Sequence, residues 1–250
     1  MNRRHALKTL AGLALCPLCS PGFAAEAVHW GYEGATGPDH WGTLDAASQV
    51  CAVGSQQSPI EIGDTVKANL PSLTMSWAKR ADTIVNNGHT IQVNFGEGSA
   101  LSVGKERYTL VQFHFHHPGE HLVAGKRAAM ELHFVHRDTA GNLAAVGVLM
   151  EAGKANPIFA KIVATMPKEE GPAVTADPAI DPNGMLPAKR SYYNYEGSLT
   201  VPPCNETVTW FLLNDPIQVA QADIAAFAKL YPLNARPVQR VNRRFILRSG

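Results

Sequence analysis

The stretch Gln112-Phe113-His114-Phe115-His116, answered further on by Glu131-Leu132-His133-Phe134-Val135-His136, decides how this chain folds. Both segments alternate, and in a strand residues two apart face the same way, so Gln112, His114 and His116 share one face while Phe113 and Phe115 take the other. Glu131, His133 and Val135 line one face of the second strand by the same parity. The 16 residues between His116 and His133 suffice for a connection that sets the strands side by side. Three imidazoles then point at one spot.

Three neutral nitrogen ligands leave a fourth tetrahedral position open on Zn²⁺, and water there has its pKa lowered from far above neutral to about 7. The pattern therefore reads as a metal site, with His114, His116 and His133 as ligands. Gln112 and Glu131 stand on the same faces, where an amide oxygen and a carboxylate can accept the free ring N–H of a histidine and fix its tautomer. His117, His121 and His136 take the plainer reading of a satisfied or solvated histidine. His117 and His136 point off the ligand face by parity, and His121 follows a Pro-Gly turn signal.

Residues 1–27 read as a cleaved secretory signal: Arg3-Arg4, an apolar run from Ala6 to Leu18, then small residues at Ala24, Ala25 and Ala27. The run is too short to span a membrane, and Asn2-Arg3-Arg4-His5-Ala6-Leu7-Lys8 is similar to a twin-arginine signal, with Sec export the alternative. Cys16 and Cys19 leave with the signal. Only Cys51 and Cys204 remain, an even count in an oxidising compartment, which predicts a disulfide. Lys and Arg number 22 against 21 Asp and Glu, interleaved, so there is no nucleic-acid footprint. No later apolar run has the length of a membrane span.

Residues 28–250 carry neither a repeat nor a low-complexity linker and read as one domain. Strand-like segments run over Thr83–Asn94, Thr109–His116, Ala129–His136, Ala144–Glu151 and Glu206–Leu213. Helical pattern is confined to Asn156–Ala164 and Gln221–Leu230, and Pro-rich Glu170–Pro187 reads as a surface loop. The expected fold is mainly β (α+β), a single domain around a large, mostly antiparallel twisted sheet with short peripheral helices.

These residues resemble the α-class carbonic anhydrases. The resemblance begins at His29-Trp30-Gly31-Tyr32 and Gly37-Pro38-Asp39-His40-Trp41, and continues through Ser55-Gln56-Gln57-Ser58-Pro59-Ile60 and Asn87-Gly88-His89. The two histidine strands follow, then Ser198-Leu199-Thr200-Val201-Pro202-Pro203 and Thr209-Trp210. Asn234-Ala235-Arg236-Pro237 and Asn242-Arg243-Arg244 look like the bacterial branch, and with the signal they imply a periplasmic protein.

The resemblance implies a zinc lyase, with one Zn²⁺ per chain, that interconverts carbon dioxide and bicarbonate. Thr200 and buried Glu120 would orient a zinc-bound hydroxide, and His89 would shuttle the proton to buffer. Tyr32, Asn87 and Gln92 match the groups that order the water path, and Val135, Ala145, Leu199 and Trp210 the apolar wall against the substrate. Ala145 stands where vertebrate members usually carry Val, Val201 where they often carry a second Thr, and His117-Pro118-Gly119 replaces a Trp-Gly pair. The implied partner is the small-molecule substrate; a homodimer is compatible with the chain. Three other readings stand beside this one. A cupin-like site would use His114, His116 and Glu120 as ligands, a carbonic-anhydrase-like binding protein would keep the fold without activity, and ester hydrolysis would be a side activity.

Overall fold

The computed structural model describes residues 29–78 and 80–250, so the expected export signal, with Cys16 and Cys19, lies outside the described residues. Seven strands matter for the site: β1 (Thr83–Asn86), β2 (Ile91–Asn94), β3 (Glu106–His116), β4 (Met130–Arg137), β5 (Leu143–Ala152), β6 (Tyr192–Gly197) and β7 (Val208–Leu213). They form the middle of a 13-stranded sheet among the described residues, in the order β1-β2-β3-β4-β5-β7-β6. Neighbours run antiparallel except where β5 lies beside β7 and beside Ile217–Val219, and where Leu247–Arg248 lies beside Val66–Lys67. The mainly β expectation, with a mostly antiparallel central sheet, holds.

One expected strand is two. The alternation over Thr83–Asn94 is broken by a turn, because Asn87 Oδ1 accepts from His89 N at 3.0 Å and Thr90 N at 2.9 Å while Gly88 adopts φ 83°. Apolar alternation continues on both arms, so periodicity alone did not reveal the break. The Glu170–Pro187 segment also does more than cross the surface. Its Val174–Thr175 strand pairs with β1, and Ile180 and Met185 are buried in the core.

The sheet separates two apolar layers. Phe113, Phe115, Leu132, Phe134, Val146 and Val148 face one side. Helices α1 (Pro157–Thr165) and α2 (Gln221–Ala228) cover it with Phe159, Ile162, Ile224 and Phe227. Helix α1 starts at residue 157 because Asn156 Oδ1 caps Ile158 N at 2.9 Å and Phe159 N at 3.1 Å, and Pro157 needs no donor there. On the opposite side Ile60, Ala145, Tyr195, Trp210, Leu212 and Ile246 form a smaller cluster. The ligand-bearing faces of β3 and β4 open onto this second side.

Cys51 and Cys204 form the predicted disulfide, with Cα atoms 5.1 Å apart. The bridge ties the segment after Val201-Pro202-Pro203 to the short helix Val50–Val53.

Candidate metal centre

Register brings the two histidine strands together. His133 stands opposite His114, and Glu131 opposite His116. The three rings converge with centroid separations of 4.9 Å (His114 to His116), 5.3 Å (His114 to His133) and 4.5 Å (His116 to His133). One nitrogen of each ring lies within 4.8 Å of the others.

The remaining nitrogens are already engaged, which tests whether the residues fit a metal ion. His114 Nδ1 lies 2.9 Å from Gln112 Oε1, His116 Nδ1 lies 2.7 Å from the Asn234 carbonyl, and His133 Nε2 lies 2.8 Å from Glu131 Oε1. A carbonyl and a carboxylate only accept, so His116 Nδ1 and His133 Nε2 carry the protons. The lone pairs sit on the other nitrogens, facing the centre. His116 Nε2 is buried with no hydrogen-bond partner, an arrangement that costs free energy unless something accepts its lone pair. Burial holds all three imidazoles below the usual histidine pKa, and neighbouring rings push the same way, so they are neutral donors. The donor set fits a divalent metal.

Glu131 is the keystone of the support. Burial alone would raise its pKa, but His121 and His133 outweigh burial and hold the carboxyl well below its usual range. Its Oε2 accepts from Glu120 N and His121 N, both at 2.8 Å, and its Oε1 from His121 Nδ1 at 2.6 Å. His121 Nε2 in turn meets Tyr195 Oη at 2.6 Å. His121, read from sequence as a turn histidine, is therefore fully buried and braces the ligand's partner. A local turn signal is silent about what the chain packs against next. Gly147, opposite His133, makes room beside this network: a Cβ there would meet Leu212 Cδ1 at 2.8 Å and Glu131 Oε1 at 3.4 Å.

Two further supports escaped the sequence reading. Asn234 holds His116 by its carbonyl, and its side-chain amide donates to the Phe115 and His89 carbonyls at 2.9 Å each. Arg236 N donates to Glu120 Oε1 at 2.8 Å. Both residues sit in an irregular segment between prolines, where no periodicity points at a target.

Around the centre the expected residues fall as follows. Val135, Ala145, Leu199, Thr200 and Trp210 line one cavity with His114 and His133, joined by Leu143, Val201 and Val208. Glu120 is fully buried, and its Oε2 has no hydrogen-bond partner. Burial pushes that carboxyl up to about 7. A cupin-like site would need Glu120 among the converging donors, and it is not one of them. His89 lies at the turn between β1 and β2, half buried, with its pKa lowered to about 4 first by burial and then by His29. Asn87 Nδ2 approaches Gln92 Oε1 at 3.5 Å, and Gln92 is paired with His114 across β2 and β3. Tyr32 packs edge-on against Trp30 and Trp41.

Comparison with known proteins agrees with this geometry. Residues 36–250 match the model of the eukaryotic-type carbonic anhydrase family. A carbonic anhydrase of a Nostoc species is 38% identical over 259 residues, covering 100% of this chain and 98% of that protein. A carbonic anhydrase of Neisseria gonorrhoeae is 38% identical, covering 94% of each chain. Among solved structures, the α-carbonic anhydrase of Thermovibrio ammonificans in complex with the inhibitor sulfanilamide superposes with a TM-score of 0.85. It is 43% identical and covers 88% of this chain and 98% of its own. With the family match running over residues 36–250 and a relative 38% identical over nearly its whole length, the chain belongs to the α-class carbonic anhydrase family.

Proposed function

We propose that this protein catalyses the reversible hydration of carbon dioxide to bicarbonate and a proton, with one zinc ion held by His114 Nε2, His116 Nε2 and His133 Nδ1. The observation that carries the reading is the convergence of three neutral imidazoles whose outward nitrogens are all occupied by acceptors. Zinc bound by such a set acts as a Lewis acid and supplies a hydroxide nucleophile near neutral pH.

The chain's own residues do the rest. Thr200 would accept a hydrogen bond from the nucleophile and donate its own hydroxyl to Glu120 Oε2, a buried oxygen with no hydrogen-bond partner in the folded chain. Arg236 N fixes the other carboxylate oxygen, so the acceptor is aimed at Thr200. Val135, Ala145, Leu199 and Trp210 form an apolar wall that suits a small uncharged substrate and offers bicarbonate no cationic clamp. His89 carries the product proton toward solvent, a role that suits a half-buried imidazole at a turn. Tyr32, Asn87 and Gln92 order the water between. The disulfide supports export to an oxidising compartment, which we read as the periplasm.

Stopped-flow CO₂ hydration by the mature chain tests this. The expected result is a catalysed rate that a zinc chelator removes and added zinc restores, with one zinc per chain by elemental analysis. A zinc-loaded protein that hydrates CO₂ no faster than buffer would overturn the reading.

A further inference from the structure

His89 is held between two other rings. Trp30 lies flat on it, with centroids 3.5 Å apart and planes 5° from parallel, and His29 is 4.7 Å away at 12°. Two rings in the same plane on one face of His89 would overlap at those distances, so His29 takes the face opposite Trp30. Trp30 is fixed in turn by edge contacts to Trp41 at 5.3 Å and Tyr32 at 5.4 Å. The backbone of His89 is pinned as well, its N–H on Asn87 Oδ1 and its carbonyl under Asn234 Nδ2.

We propose that His29 is a positioning residue for the proton path: it closes the face of His89 that Trp30 leaves open and leaves only the ring edge for proton exchange. The inference rests on the reading of His89 as the proton carrier. The ring N–H bonds lie in the plane of the imidazole, so a stacked neighbour cannot take a proton through the face. His29 is therefore a wall and not a relay. Protons enter and leave His89 along the edge, where water reaches.

Charge adds to the effect. Burial first, and His29 second, lower the His89 pKa to about 4. Two other titratable groups lie near this turn. The Glu170 carboxylate lies against Gly88, where a Cβ would meet it at 2.9 Å, and the Tyr231 hydroxyl is bound to Asn86. Opening the His29 face would readmit water to the ring, and His89 would then keep its proton to higher pH.

The test uses His29→Ala and His29→Phe in the zinc-loaded enzyme. Its readouts are the NMR titration of the His89 ring and the pH profile of kcat in weak buffer. In His29→Ala the His89 pKa rises by about one unit and the kcat profile moves to higher pH with KM unchanged. His29→Phe keeps a ring on the face and returns both toward the parent. An unchanged His89 titration in His29→Ala overturns the proposal, and so does a Phe variant that behaves like Ala. His89→Ala separates this from the underlying reading: full turnover in weak buffer would remove His89 as carrier, while the NMR arm still reports whether His29 closes the ring.

Discussion

His133 and His136 are three residues apart on β4 and both are buried, yet they face opposite sides of the sheet and meet opposite chemistry. His133 has an ionised carboxylate on Nε2, two imidazoles around it and an unshared lone pair aimed at the centre. His136 lies in the larger apolar layer, 5.5 Å from Trp77, with Nδ1 on the Phe134 carbonyl and Nε2 without a partner. The same residue type thus presents a free lone pair to a cluster of donors on one face and serves as a neutral core side chain on the other. What separates them is Glu131, an acceptor strong enough to fix a tautomer and held charged by two histidines. Burial alone does not make a site.

The sharpest break of the comparison is His133→Ala. It removes one of three ligands, and zinc binding and CO₂ hydration are both lost, whereas His136→Ala keeps its zinc by elemental analysis. Near-parent hydration by His133→Ala would remove the site assignment. Next in size is Glu131→Gln, which keeps the shape but takes away the charge that orients His133 and His121. Zinc affinity falls roughly 10–100-fold, read by competition with a chromophoric chelator. An unchanged affinity would mean that the carboxylate is structural scenery for His121 and Tyr195 and not a support of the ligand.

The contrast between the faces also marks what could be read in advance. Alternation has a period of two, so the placement of Gln112, His114, His116, Glu131 and His133 on one side and of Phe113, Phe115, Phe134 and His136 on the other follows from residue order alone. The sheet and helices α1 and α2 were legible for the same reason. The turn at Asn87 was legible in the Asn87-Gly88 pair but not as a break of the Thr83–Asn94 strand, because alternation runs on through it. Asn234, Arg236 and His121 were not legible: each acts on a partner about 10 to 120 residues away, through a carbonyl, an N–H or a ring edge. No local spacing encodes such a contact. His89 lies between these cases, since its chemistry suits proton transfer but only the resemblance to a family set it apart from an ordinary turn histidine.

The smallest expected effect lies on the core face. Burial depresses the His136 pKa to about 3, against about 6.5 in an unfolded chain. Between those values the unfolded chain binds a proton that the folded chain refuses, so the unfolded state gains as pH falls. Stability is therefore intact above about pH 6.5 and declines below it with a limiting slope of about 1.4 kcal/mol per pH unit, levelling near pH 3. From pH 7 to 5.5 the decline from this one residue is about 1 kcal/mol. His136→Phe keeps a ring against Trp77 and Phe134 and abolishes the titration. Urea unfolding of both proteins at the two pH values should show the parent losing about 1 kcal/mol more than the variant. Equal losses would mean that His136 gains a proton partner or water in the folded state, and the two faces of β4 would then differ less than their packing implies.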